Sequence, residues 1–325
     1  GFLSHAVSRL VHRQDELSAV DAVLIMKVLA RSRLCSEVVF EDLTDERVGT
    51  EEVEKVQHFF WQTLCSTALP AILHLPESAV APVRRAELVM SLAIAWPTFD
   101  TQCGPTKQTS RVQVEDLVSA VVADLEYLGR ICKDSTPAVH ATAASCGIGG
   151  IGLLRAQGAF CDSAVQVAGD FLARVKRAFD PDWLEHLSVE SLVQLNVGLR
   201  GLSLSDSRLG KQVEGHLFDR LSGPQGSQVP LRDVCNALQL LASCGLLALG
   251  TPSTFELVRL AVNRIDRVQR GERQVLRPIL QHLARQAAEA QPKGRLVELL
   301  QPVSSSQAAA LETLARYDWF SRHSR

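Results

Sequence analysis

Aliphatic residues recur in this chain at fixed long spacings, and that recurrence constrains the fold more than any other feature. Residues 187–206 read LSVESLVQLNVGLRGLSLSD, and residues 17–37 read LSAVDAVLIMKVLARSRLCSE. Leu17, Ser18, Leu29 and Leu34 each find the same residue type 170 positions on, at Leu187, Ser188, Leu199 and Leu204. A step of 42 carries Leu192, Leu195, Leu199 and Leu204 onto Val234, Ala237, Leu241 and Leu246. The same step backwards from Leu195, Leu202, Val213, Leu217 and Leu221 reaches Leu153, Phe160, Phe171, Val175 and Phe179. Four short steps nearly make the long one. A period of this size marks repeated supersecondary units, which stack because one unit alone cannot bury its apolar faces.

Each unit reads as helix, turn, helix, loop. Over 189–202 the apolar residues fall at Val189, Leu192, Val193, Leu195, Val197, Leu199 and Leu202, mostly at helical spacing. Ser188 suits a helix start, and Ser205 or Asp206 is placed to cap the next helix. That helix, over 207–221, carries the ladder Leu209, Val213, Leu217, Leu221, and the turn formers SGPQGS follow at 222–227. The next unit places helices over 231–249 and from Thr251 to about Val268, with Pro252 suited to a first turn. A terminal unit covers 274–300, and a closing helix covers 304–321.

The N-terminal half is less regular. Helical segments are expected over 15–40, over 51–75 with Pro70 as a break, over 83–96 stopped by Pro97, over 112–132 and over 137–157. The polar run CGPTKQTSR at 103–111 reads as an exposed loop and a boundary. It separates irregular helical repeats at 1–102 from a regular array with C-terminal capping helices at 112–325. Aromatics make up only 5% of the chain, so aliphatic helix packing is favoured over a sandwich of strands. The expected fold is all-α, an α-solenoid of stacked helical hairpins with a unit of about 40 residues.

Catalytic and cofactor signatures are missing. The run Cys146-Gly-Ile-Gly-Gly-Ile-Gly152 resembles a phosphate loop only in its glycines. No strand signal precedes it and no lysine follows, so close helix packing is the expected role. The nine histidines are scattered, without H-x-x-x-H or H-E-x-x-H spacing, and no Gly-x-Ser-x-Gly elbow occurs. No metal, cofactor, small-molecule substrate or enzymatic activity is expected. The eight cysteines form no C-x-x-C pair and sit mostly in apolar segments, which suits a reducing compartment. No apolar run of membrane-spanning length occurs, so no membrane partner is expected. The opening GFLSHAVSRLVHRQDELS, with its Arg, His and Ser, suits a remnant of a matrix-targeting region.

Charge is unevenly placed. The net charge is −2, yet residues 251–325 hold 12 Lys and Arg against 7 Asp and Glu. Arg259, Arg264, Arg267, Arg270, Arg273 and Arg277 recur every three to five residues there. A guanidinium is a planar fork matched to phosphate, so these six are the candidate RNA-binding residues. Glu256, Asp266 and Glu272 are interleaved and set a solvated, salt-bridged face as the competing reading.

The pattern L-S-x-x-x-L-V-x-L-x-x-x-L-x-x-L-x-L-x-D over 187–206 is carried by Leu187, Ser188, Leu192, Leu195, Leu199, Leu202, Leu204 and Asp206. It resembles the helical-hairpin repeats of organellar RNA-metabolism proteins of the FASTK-like, heptatricopeptide and octotricopeptide groups. Residues 17–37 and 231–246 look similar, and the resemblance covers about half of the chain. No RAP module, with which those families often end, is visible here. The resemblance implies a mitochondrial matrix protein in a ribonucleoprotein assembly, either the mitochondrial ribosome or an RNA-processing or editing complex. In that setting the chain is expected to be a non-catalytic scaffold that holds protein subunits and touches RNA through its basic C-terminal face. The rival is a HEAT- or armadillo-like protein adaptor with no RNA role, which a unit of about 42 residues fits equally well.

Overall fold

The computed structural model describes residues 18–30, 58–59, 61–62, 68–74, 81–98, 107–131, 138–159, 181–244, 246–247, 251–269, 272, 275–277 and 279–283. Among the described residues every regular element is helical, so the all-α expectation holds. The chain divides into two compact units, one of residues 1–37, 44–187 and 194–213, the other of residues 38–43, 188–193 and 214–325.

The first unit is built around α3 (Ala81–Ala95), against which pack α1 (Ala19–Ala30), α2 (Leu69–Leu73), α4 (Lys107–Ile131) and α5 (Ala138–Ala156). From Arg85 to Ala95 every residue of α3 is buried, so the helix needs partners on all sides. Its polar residues are therefore paired. Arg85 Nη1 donates to both carboxylate oxygens of Asp124 at 2.8 and 2.9 Å, and Glu87 accepts from Lys27 Nζ at 2.7 Å and from Arg84 Nη1. These bonds tie α3 to α4 and α1. Desolvation offsets most of the attraction in buried pairs of this kind, so their net contribution to stability is small. A 3-10 turn, Trp96–Thr98, ends α3, and Trp96 meets Trp61 edge to face with centroids 6.3 Å apart.

The glycine run lies inside α5 and serves packing, as expected. A Cβ on Gly150 would fall 2.7 Å from the Met90 nitrogen on α3. On another side, a Cβ on Gly152 would fall 2.0 Å from the Gly198 carbonyl oxygen of α6 (Val189–Gly201). Gly198 and Gly201 answer from α6, where added Cβ atoms would meet the carbonyls of Ile148 and Gly152. Backbone thus touches backbone, which only glycine permits. Gln194 seals this contact, accepting at Oε1 from Cys146 Sγ at 3.1 Å.

The recurring sequence positions have local physical roles. Ser18 and Ser188 are both N-caps, whose Oγ atoms accept from the N–H groups of Asp21 and Ser191 at 3.2 and 3.1 Å. Leu199 and Leu204 close the C-terminus of α6, with the Leu204 N–H donating to the Leu199 carbonyl at 2.7 Å. Ser203 between them takes φ 58°, in the left-handed region. One step of 42 later, the Leu246 N–H donates to the Leu241 carbonyl at 2.8 Å and closes α8 (Leu231–Ser243) in the same way. α6 and α8 begin at Val189 and Leu231, the same step apart.

Between them runs α7 (Arg208–Ser222), followed by a 3-10 segment, Pro224–Gln228. Ser207, one residue beyond the expected Ser205 or Asp206, caps α7 by accepting from the Gly210 N–H at 3.1 Å. In the second unit α8 packs on α9 (Pro252–Asn263), and a 3-10 turn, Ile265–Arg267, follows. Glu214 of α7 caps α9 from a distance, since its carboxylate accepts from the Ser253 N–H and Oγ, both at 3.0 Å. An anion at this end also complements the helix dipole.

Several boundaries differ from expectation. Residues 107–111 are helical rather than loop, because Lys, Gln and Arg are good helix formers despite their polarity. α8 stops at Ser243, not near Leu249, where the Leu246 bond turns the chain. α9 stops at Asn263, and the 3-10 turn then sets Ile265 and Val268 inward, since residues three apart eclipse in that geometry. Pro70 stands in the first turn of α2, and residues 63–67 before it lie outside the described residues. The expected helix at 304–321, all of 31–57 and the end of the terminal unit lie outside the described residues.

Candidate nucleic-acid interface

The candidate arginines lie in the second unit, on α9, the 3-10 turn after it and the residues that follow. Arg259 is on α9 with 41% of its side chain exposed. Its Nε donates to Glu256 Oε2 at 2.7 Å, one helical turn away. A pair three residues apart with one half-exposed partner contributes about 1 kcal/mol or less.

Arg264, at the C-cap of α9, has a different task. Its Nη1 donates to the Val229 carbonyl at 2.6 Å, and its Nη2 donates to the Gly226 carbonyl. Those carbonyls belong to the tight connection between α7 and α8. Gly226 is required there, because an added Cβ would fall 2.0 Å from the Leu221 carbonyl oxygen. The charged fork therefore satisfies two backbone acceptors and clasps α9 to the start of α8. Its hydrogen-bonding capacity is partly spent on two neutral acceptors.

Arg267 is exposed and Arg277 half-buried, and neither has an acidic partner among the described residues. Arg270 and Arg273 lie outside the described residues. Of the interleaved acids, Glu256 holds Arg259, and Glu272 accepts from the Gln269 N–H at 2.8 Å in the manner of a capping box. Asp266 is exposed. Of the four described arginines, Arg259 is lightly paired, Arg264 is structural, Arg267 is exposed and Arg277 is half-buried. Periodicity alone gave no means of telling them apart. Arg232, exposed on the first turn of α8, stands outside the sequence run altogether.

Two other titratable groups are shifted by burial. The buried Cys235 thiol is pushed up to about 12, first by desolvation and then by the Glu272 carboxylate. His140, in the first unit, is lowered by burial. Among the described residues no group of three or more His, Cys, Asp or Glu is arranged to hold a metal ion. No described helix is long and apolar enough to cross a membrane. No family model, curated protein or solved structure matches the chain.

Proposed function

We propose that this chain is a non-catalytic helical-repeat scaffold in a mitochondrial ribonucleoprotein assembly, either the mitochondrial ribosome or an RNA-processing or editing complex. Its helical hairpins continue as a solenoid of roughly 40-residue units that holds protein subunits, and the basic C-terminal face contacts RNA. The observation that carries this reading is exposed Arg267, with half-buried Arg277, in the most basic third of an otherwise acidic chain. The repeated capping of α6 and α8 supports stacked hairpins.

A second reading, a HEAT- or armadillo-like protein adaptor, is favoured by the engagement of Arg259 and Arg264 within the protein. The two separate in a capture experiment. The tagged chain is drawn from mitochondria, and half of the sample is treated with ribonuclease. The scaffold reading expects ribosomal or RNA-processing proteins, some lost after treatment. Partners unrelated to RNA and indifferent to ribonuclease would establish the adaptor.

A further inference from the structure

We propose that Arg232 belongs with Arg267 to one phosphate-binding surface of the second unit, held together by Arg264 and fitted to the backbone of single-stranded RNA. The proposal rests on the RNA-contacting reading above and adds a residue that the arginine run does not contain.

The geometry starts from the clasp. Arg264 reaches the Val229 carbonyl at 2.6 Å, and Val229 directly precedes Pro230, the N-cap of α8. The Asp233 N–H closes on the Pro230 carbonyl at 3.0 Å, so Arg232 lies on the turn adjoining the clasp. On the other side, the Arg267 N–H donates to the Arg264 carbonyl at 2.9 Å, which places Arg267 one turn away. Two segments separated in sequence by a whole hairpin thus each carry an exposed arginine three residues beyond one end of the clasp. Neither Arg232 nor Arg267 has an acidic partner among the described residues.

The electrostatics point the same way. Arg264 is fixed by hydrogen bonds to two neutral carbonyls. Against these three guanidinium groups stand two neighbouring carboxylates, half-buried Asp233 and exposed Asp266, so one positive charge is in excess. A surface of this kind attracts a polyanion, and its flexible outer arms bond phosphate while the central charge stays in place. Arg264 is then a positioning residue rather than a contact.

The test uses the purified full chain and a fluorescent oligouridylate single strand, with affinity measured across a salt series. Arg232→Gln is expected to lower affinity about fivefold near 0.1 M salt and to reduce the log–log salt slope by about 0.7, the share of one phosphate contact. Arg267→Gln should do the same, and Arg232→Lys should restore most of the slope. Arg208→Gln, an exposed arginine of α7, should change neither. Circular dichroism melts of Arg232→Gln should match the parent, because the side chain is exposed. If Arg267→Gln weakens binding and Arg232→Gln does not, the shared surface is overturned while the RNA-contacting reading survives. If Arg208→Gln weakens binding as much as Arg232→Gln, a diffuse charge effect replaces the surface. A parent chain without salt-dependent binding overturns both.

Discussion

Alanine at Gly198 and alanine at Gly215 should shift stability in opposite directions, although both glycines lie inside helices. A Cβ on Gly198 falls 2.3 Å from the Ile148 carbonyl oxygen and 2.6 Å from the Gly149 Cα. Ordinary contact begins at 3.4 Å, so the first shortfall is 3.4 minus 2.3, about 1 Å. Both obstacles are backbone, and no rotamer change relieves them. α5 and α6 must separate, and a gap of that size forfeits a quarter to a half of each dispersion contact along the seam. Overpacking costs about 3 kcal/mol at the upper end of its usual range, and alanine's better helix propensity returns about 1 kcal/mol. The net expectation for Gly198→Ala is a loss of about 2 kcal/mol. A Cβ on Gly215 meets nothing within 4 Å, so Gly215→Ala keeps only the propensity term and gains about 1 kcal/mol. Urea melts followed by far-UV circular dichroism read the two midpoints. If both variants move the midpoint in the same direction, the backbone-to-backbone account of α5 and α6 is refuted.

Further predictions follow from the caps and the buried thiol. Glu214→Ala removes the acceptor for the first turn of α9 and should lower stability by about 1 kcal/mol in thermal melts, with Glu214→Gln recovering part of it. Ser203→Gly should raise stability by up to about 1 kcal/mol, because Ser203 holds a left-handed φ of 58° that glycine adopts freely. Cys235 should resist iodoacetamide at pH 8 until the chain is unfolded by urea. Its raised native value also has a definite sign: the unfolded thiol titrates near 9.0 and the native one near 12. The contribution is therefore intact below pH 9 and lost as pH rises from about 9 to 12, and Cys235→Ala should flatten that part of the stability profile.

What the sequence disclosed depended on how local the cause was. Ser18 and Ser188 act through bonds three residues long, and Leu199 with Leu204 through a bond five residues long, so a repeating pattern carries them faithfully. The packing role of the glycine run was legible because a phosphate loop needs neighbours that the sequence lacks. Glu214 was not legible as the cap of α9. It lies 39 residues from Ser253, and only the folding of α7 beside α9 brings it there. Arg264 was misgrouped for the same reason. Its spacing matches the other arginines, while its task is set by carbonyls 35 and 38 residues upstream. The helical start at Lys107 was hidden by composition, since polar residues serve a solvated helix as well as a loop.

The most direct test of the central claim is ultraviolet cross-linking of RNA to the chain in intact mitochondria, with the modified peptides mapped by mass spectrometry. The account predicts nucleotide adducts on peptides from residues 229–283, lost together when Arg232, Arg267 and Arg277 are changed to Gln. Adducts confined to other parts of the chain, or unaffected by those changes, would contradict it.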